Sequence, residues 1–331
     1  MSRRPVVLHL VDDTTAGGVM RVVDFLVGSD RLQAQACHVT RQVARGGLKP
    51  ERLKADMIVS HLTLNWRGLP GLAALRAANP GTPMIHVEHS YTAGFVAHNV
   101  ARPGRFFTML KLGFAVFDRI VAVSEAQAEW FERMDLCRAA KIKAIPSCVD
   151  LSTFRALPAR SGPVRVFGAI GRLEPQKGFD TLITAFRGLP DPDIALHIYG
   201  QGQEESALRN LAGDDTRIHF KGFAKTPTTA FASVDAVVMP SRWEAYGLVA
   251  IEALAAGLPV ICANVDGMMD HAACGATVLP FGSATEARQA LDRGLVPKTP
   301  RPSKARQGDA LEEAFFSSWG DLTARHCALA V

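Results

Sequence analysis

The chain has 331 residues, of which 48% are apolar and 21% charged, with a formal net charge of +5. That length exceeds what one hydrophobic core usually serves, so two domains of roughly 150 residues are expected, in an ordered soluble protein with a sizeable core. Lys and Arg outnumber Asp and Glu by 20 to 13 over residues 1–155 and fall behind them, 17 to 19, over the rest; with no basic run interleaved with aromatics, nucleic acid is not the expected partner, and an anionic acceptor or membrane surface fits the basic half better.

The opening "MSRRPVVLHLVDDTT" sets basic residues before an apolar run, but Val6 to Val11 is too short for a signal peptide and no small-residue cleavage site follows. No segment approaches the roughly 20 apolar residues of a spanning helix. Six scattered cysteines lack the spacing of a metal knuckle or redox pair. A reduced cytoplasm is the expected compartment, with the inner face of the cell membrane as a possible station.

In chain order, strand-like apolar runs occur at "PVVLHLV", "QACHVT", "ADMIVSHL", "PMIHVE", "RIVAVS" and "KIKAIPS", separated by helical patterns such as "GGVMRVVDFLVG", "GLPGLAALRAAN" and "EAQAEWFERM". Short continuous apolar runs alternating with helices indicate a parallel sheet covered on both faces. Residues 99–119, "NVARPGRFFTMLKLGFAVFDR", combine Arg102, Arg105 and Lys111 with Phe106, Phe107, Met109 and Leu110. They read either as a basic amphipathic helix in peripheral contact with a membrane or as a core helix feeding the next strand.

Two prolines and a glycine near residues 156–163 mark a linker. The alternation then restarts with "VRVFGAIGR", "GFDTLITAF", "DIALHIYG", "EESALRNLA", "TRIHFKGF", "VDAVVMPS", "AYGLVAIEALAAG" and "LPVICA". The expected fold is α/β, with two Rossmann-like doubly wound domains in tandem and ligands beyond the carboxyl ends of the strands, in a cleft between the domains. Residues 295–308 read as an exposed Pro-rich, basic connection, and from Asp309 to Ala330 helical spacing returns, with Leu311, Phe315, Trp319 and Leu322 on one face. The domains are therefore placed at 1–157, joined by the terminal helix 309–331, and at 158–308.

The most informative segment is "PSRWEAYGLVAIEALAAGLPVI". A helix is expected from near Tyr246 and Gly247 until Gly257 and Pro259 end it. Glu244 stands at its mouth and Glu252 more than a turn inside, roughly 10 Å apart along the axis, the length of a sugar diphosphate from hexose to ribose. The amides of Ala245, Tyr246 and Gly247 would offer a diphosphate the positive end of the helix without a metal, while ionised carboxylates suit hydroxyl groups. Taken singly, Glu244 reads as a solvated capping residue. In "GAIGRLEPQKGFD", Arg172 ends a strand and Lys177 precedes a helix, either as a clamp on a leaving diphosphate or as an ordinary solvated loop. Gly17 and Gly18, between a strand and a helix, permit close backbone approach to a ligand or simply a tight turn.

Together these residues resemble the retaining family 4 glycosyltransferases of the GT-B fold. The specific match is Glu244 and Glu252 with seven residues between them, supported by "GRLEPQKG", "IYGQGQEESALRNLA", "VAVSE", "IPSCVD" and "AGGVMRVV", in order over nearly the whole chain. The resemblance implies a nucleotide-sugar donor bound mainly by the second domain. Glu252 would meet the ribose, Glu244 the transferred sugar, and Arg172 and Lys177 the departing diphosphate. Gly200, Ala245, Tyr246, Gly247 and Leu248 would line the donor site, Gly18, with Gly17, would lie under the donor, and His89 in "VEHSY" would stand near the reaction centre; His61 and His86 read as structural. It further implies retention of configuration, no cofactor and no metal, a glycan or lipid-linked acceptor in polysaccharide or glycolipid synthesis, and a terminal helix packed on the first domain. Ser147 and Cys148 depart from the asparagine and glycine usual in the family, and Asp270 from its glutamate. The "DPD" at Asp191–Asp193 imitates a metal-binding pair but reads as a proline turn. A sugar-nucleotide epimerase and a catalytically silent sugar-nucleotide sensor are the competing functions.

Overall fold

The computed structural model describes residues 3–13, 17–45, 47–158, 162–295 and 304–327. They form two compact units. One comprises the described residues up to Val149 together with those from Glu312 onward, and the other is Asp150–Leu311.

The first unit holds a parallel sheet with strand order β2-β1-β3-β4-β5-β6, formed by β1 (Val6–Val11), β2 (Cys37–Gln42), β3 (Met57–Ser60), β4 (Met84–Glu88), β5 (Arg119–Ala122) and β6 (Ile142–Ala144). The second repeats the plan in the order β12-β11-β10-β7-β8-β9, with β7 (Val166–Ile170), β8 (Ala195–Tyr199), β9 (Ile218–Gly222), β10 (Ala236–Met239), β11 (Val260–Ala263) and β12 (Thr277–Leu279). Buried apolar side chains on both faces explain the unbroken apolar runs: all residues of β3, β4, β10 and β11 are buried. Strand β12 was not anticipated. It is three half-buried residues paired only with β11 at the sheet edge, too short for a periodicity to register.

The division between units falls at Val149 and Asp150 rather than after Leu157 because Phe154, in the short helix Ser152–Arg155, packs edge-on against Phe231 of the second unit, ring centroids 5.1 Å apart. The C-terminal helix, Lys304–Cys327, begins five residues earlier than its spacing predicted, and the expected ending at Ala330 lies outside the described residues, as do 296–303 of the expected connection and 159–161 of the linker. From Glu312 on, this helix belongs to the first unit. Phe315 and Trp319 are each 2% exposed; Phe25 stacks on Phe315 at 5.8 Å, and Trp319 leans over the His9 ring at 6.3 Å. Burial of each aromatic contributes roughly 1.5–3 kcal/mol, and Arg31 adds a forked ion pair to Glu313.

The basic helix Pro103–Ala115 uses its apolar side internally. Met109, Leu110 and Phe114 are buried in the core of the first unit, with Phe106 and Phe107 packed against it. Arg105, Lys111 and Leu112 are among the residues it leaves exposed, as is Arg102 at its N-cap.

Candidate functional site

Arg172, Lys177, Gly200 and Glu244 of the second unit stand on loops that leave the carboxyl ends of three adjacent strands, β10, β7 and β8, and Glu252 in the helix that follows the loop after β10. The loops are held by backbone contact. Gly171 N–H donates to Tyr199 O and Leu173 N–H to Gln201 O, each at 2.9 Å. A Cβ at Gly200 would lie 1.8 Å from Gly171 O, so only glycine allows this approach. Gly178, at φ 64°, likewise admits the carbonyl of Pro240, which would be 2.3 Å from a Cβ.

That second contact sets the loop after β7 against the loop after β10. Lys177, ending the 3-10 turn Pro175–Lys177, donates to Glu244 in an ion pair whose side chains are 16% and 14% exposed. Neighbouring bonds fix the pair: Gln176 Nε2 donates to Trp243 O at 3.0 Å, Arg242 N–H to Gln176 O at 2.8 Å, and Glu244 N–H to Asp266 Oδ2 at 3.2 Å. Arg242 also grips Asp180 at 2.6 Å, and with desolvation of the Asp180 carboxyl opposing it, the guanidinium still holds that carboxyl below its usual range. Arg172 is exposed, with Nη2 3.3 Å from Gln176 Oε1.

The helix after Glu244 runs Leu248–Ala255, one to two residues later than the sequence predicted. Gly247, at φ 91°, is its N-cap, so Leu248 and Val249 supply its leading amides, and no side chain caps it. Ala245 and Tyr246 lie before the cap, 7% and 5% exposed, and Tyr246 O accepts from His271 Nε2 at 2.6 Å. This corrects the expectation that the amides of Ala245, Tyr246 and Gly247 form the helix mouth. The positive-φ glycine delays the first turn, and because Glu244 sits in the loop the helical ruler does not span Glu244 to Glu252. Glu252 is 2% exposed, among Ile251 and Ala253.

In the first unit, exposed Gly17 is the N-cap of the helix Gly18–Val27; Thr14–Ala16 of the same motif lie outside the described residues. His89 follows β4, its Nε2 2.9 Å from Nδ1 of His61, and burial pushes it down to about 4, neutral at physiological pH. His86 points to the opposite face of the sheet, 3.3 Å from Glu88. Asp191 accepts from the amide of Asp193 at 2.8 Å and pairs with Arg165 at 3.4 Å, the hydrogen bonding of a turn.

Sequence reasoning passed over Gln176, Arg242 and Asp266, which carry the scaffolding bonds. Arg242, two residues before Glu244, was legible as a cation beside the motif; the positive φ of Asp266, 43°, leaves no sequence signal.

Two family descriptions fit the chain, Glycosyltransferase Family 4 over residues 34–153 and Glycosyl transferases group 1 over 153–298. A D-inositol 3-phosphate glycosyltransferase of Actinosynnema mirum is 26% identical over 324 residues, covering 89% of this chain and 76% of that protein. A protein of the same description from Segniliparus rotundus is 27% identical, and the match spans 72% of this chain and 58% of that one. Among solved structures, sucrose-phosphate synthase from Thermosynechococcus elongatus has a TM-score of 0.74 at 19% identity, and HepE of Anabaena, in complex with UDP and glucose, 0.70 at 18%; each match covers 97% of this chain and 99% of the other. The fold is that of the GT-B glycosyltransferases. The chain belongs to the family 4, group 1 glycosyltransferases.

Proposed function

We propose that the chain is a retaining glycosyltransferase that moves a hexose-type sugar from a nucleotide-sugar donor to a glycan or lipid-linked acceptor, without a metal ion. The observation that carries this reading is the Lys177–Glu244 pair beside the uncapped start of the helix Leu248–Ala255. Helix amides and a lysine together favour a phosphate, with exposed Arg172 as a second cation, and a carboxylate at the same point favours a sugar hydroxyl. Binding exchanges partners: Lys177 turns from Glu244 to the diphosphate, and Glu244 is released to accept from the sugar. The complexes of HepE with UDP and with UDP-glucose support a nucleotide-sugar as the donor class.

Departure of the diphosphate builds negative charge, which Arg172, Lys177 and the amides of Leu248 and Val249 would stabilise. In the same-face mechanism the leaving phosphate oxygen takes the acceptor's proton, so no protein nucleophile is needed. Glu252 is assigned to the ribose, and Gly17, Gly18 and His89 to the donor sugar, on the family resemblance. The acceptor setting proposed is synthesis of a surface polysaccharide or glycolipid at the inner face of the membrane. Contact there would be electrostatic, through Arg102, Arg105 and Lys111, since Met109 and Leu110 are committed to the core.

Thermal denaturation with UDP-, GDP- and ADP-sugars tests the donor site, because a ligand bound only by the folded state raises the melting point. One donor class is expected to stabilise the wild type, with the shift lost in Lys177→Ala and Glu252→Ala. Shifts undiminished in both variants would remove the assignment. Donor turnover without any acceptor would mark an epimerase instead, and binding without transfer or hydrolysis a sensor.

A further inference from the structure

Four histidines of the first unit stand on one diagonal across adjacent strands. His38 of β2 is in register with Val7, two residues before His9 of β1; His9 is in register with Val59, two before His61. Ser60 is in register with His86, which sets His61 level with Val87, two before His89. A step of two residues keeps every ring on the same face of a sheet. The rings stack at centroid separations of 5.4, 5.3 and 5.2 Å, tilted by 29°, 24° and 27°.

Their nitrogens meet in a consistent order. His38 Nδ1 faces His9 Nε2 at 3.1 Å, His9 Nδ1 faces His61 Nε2 at 3.0 Å, and His61 Nδ1 faces His89 Nε2 at 2.9 Å. Each contact needs one N–H and one lone pair, so a neutral row has two states: all four rings protonated on Nδ1, or all four on Nε2. Burial keeps the rings neutral, His9 at about 3, His38 at about 4 and His61 well below its ordinary value.

The ends decide between the two states. His38 is 2% exposed and its Nε2 is buried without a hydrogen-bond partner among the described residues. In the Nε2–H state that atom is an orphaned N–H; in the Nδ1–H state it is a bare lone pair, and orphaned buried N–H groups are the rarer of the two. The other end, His89, is only half-buried. A row closed at His38 is no route for a proton to bulk water, so it acts as a lock and not as a conduit.

We infer that His38, His9 and His61 are positioning residues that hold His89 in its Nδ1–H tautomer, so that His89 meets the substrate as a neutral hydrogen-bond donor to a sugar oxygen and not as a base. The part concerning sugar rests on the glycosyltransfer reading; the tautomer itself does not.

The test is nitrogen-15 NMR of the full-length chain labelled in histidine, with the ring signals of His89 assigned by their loss in His89→Gln. In the wild type, His89 Nδ1 is expected to show the protonated resonance and Nε2 the bare one. His61→Phe keeps an aromatic ring but removes the donor, and His89 should turn to Nε2–H while kcat/KM falls about tenfold, the effect of one misdirected neutral hydrogen bond. His61→Gln, whose carboxamide can donate to His89 Nε2, should restore both. Protonated Nε2 in wild-type His89 overturns the inference whether or not the protein is active, and so does an unchanged tautomer in folded His61→Phe. If His61→Phe does not fold, His9→Phe breaks the row one ring away, and its comparison with His9→Gln decides in the same way. A correct tautomer in a protein that binds no sugar nucleotide would leave the lock standing and remove the proposed function alone.

Discussion

Lys177 donates to Glu244 across 67 residues of sequence, joining the loop after β7 to the loop after β10 within the second unit. With both side chains mostly buried, the charges lose hydration that their attraction only partly returns, so the pair is weak evidence for stability; under the proposed function it is the pair that exchanges partners when donor binds.

Removing one member strands the other. Lys177→Ala and Glu244→Ala should each cost about 1–3 kcal/mol, and the double variant less than the two together. Urea denaturation of the four proteins in a mutant cycle measures the coupling; strictly additive losses would show that the two groups act independently.

Gly200→Ala puts a methyl group 1.8 Å from the carbonyl oxygen of Gly171, at φ 143°. Backbone on both sides cannot yield cheaply, so a loss on the order of 3 kcal/mol is expected, together with loss of the donor-induced thermal shift. Gly81→Ala, where a Cβ meets nothing within 4 Å, is the control and should change neither.

Acid should unfold the chain early. His9, His38 and His89 have folded-state values of about 3 to 4 against an ordinary 6.5, so below pH 6.5 the unfolded chain takes up protons that the folded one refuses. Their contribution is complete above pH 6.5 and drains away as pH falls toward 4, at up to roughly 1.4 kcal/mol per pH unit for each histidine. Urea midpoints at pH 7, 6 and 5 should fall steeply in the wild type and less so in His9→Gln; equal slopes would contradict the burial of these rings.

Transfer should survive a chelator, since two cations and a helix start are proposed to do what a metal does elsewhere. Activity lost on adding EDTA and regained with manganese would contradict this.

The charge-reversed triple variant Arg102→Glu, Arg105→Glu, Lys111→Glu should fold normally, because all three positions are exposed, and should no longer sediment with anionic liposomes at low salt. Equal sedimentation of variant and wild type would exclude this helix as the contact.

Much of the candidate site was legible because its signals are local. Continuous apolar runs show where parallel strands lie, a glycine and a cation at a strand end indicate a ligand loop, and two glutamates with seven residues between them mark one helix and its approach. The details that depend on backbone dihedral angles were not legible: Gly247 at φ 91° postpones the helix, which moves the leading amides to Leu248 and Val249. A sequence shows that a glycine is permitted to turn, and not that it does.

The amino-acid sequence by itself determined the two doubly wound units, the terminal helix and the family, since hydrophobic periodicity and motif order are properties of the chain read along its length. Tertiary structure alone decided that Lys177 and Glu244 are partners, that the apolar side of the helix Pro103–Ala115 faces the core, and that four histidines from four strands share one line. Each depends on register and loop closure between distant segments, where a shift of one residue would turn every side chain to the opposite face.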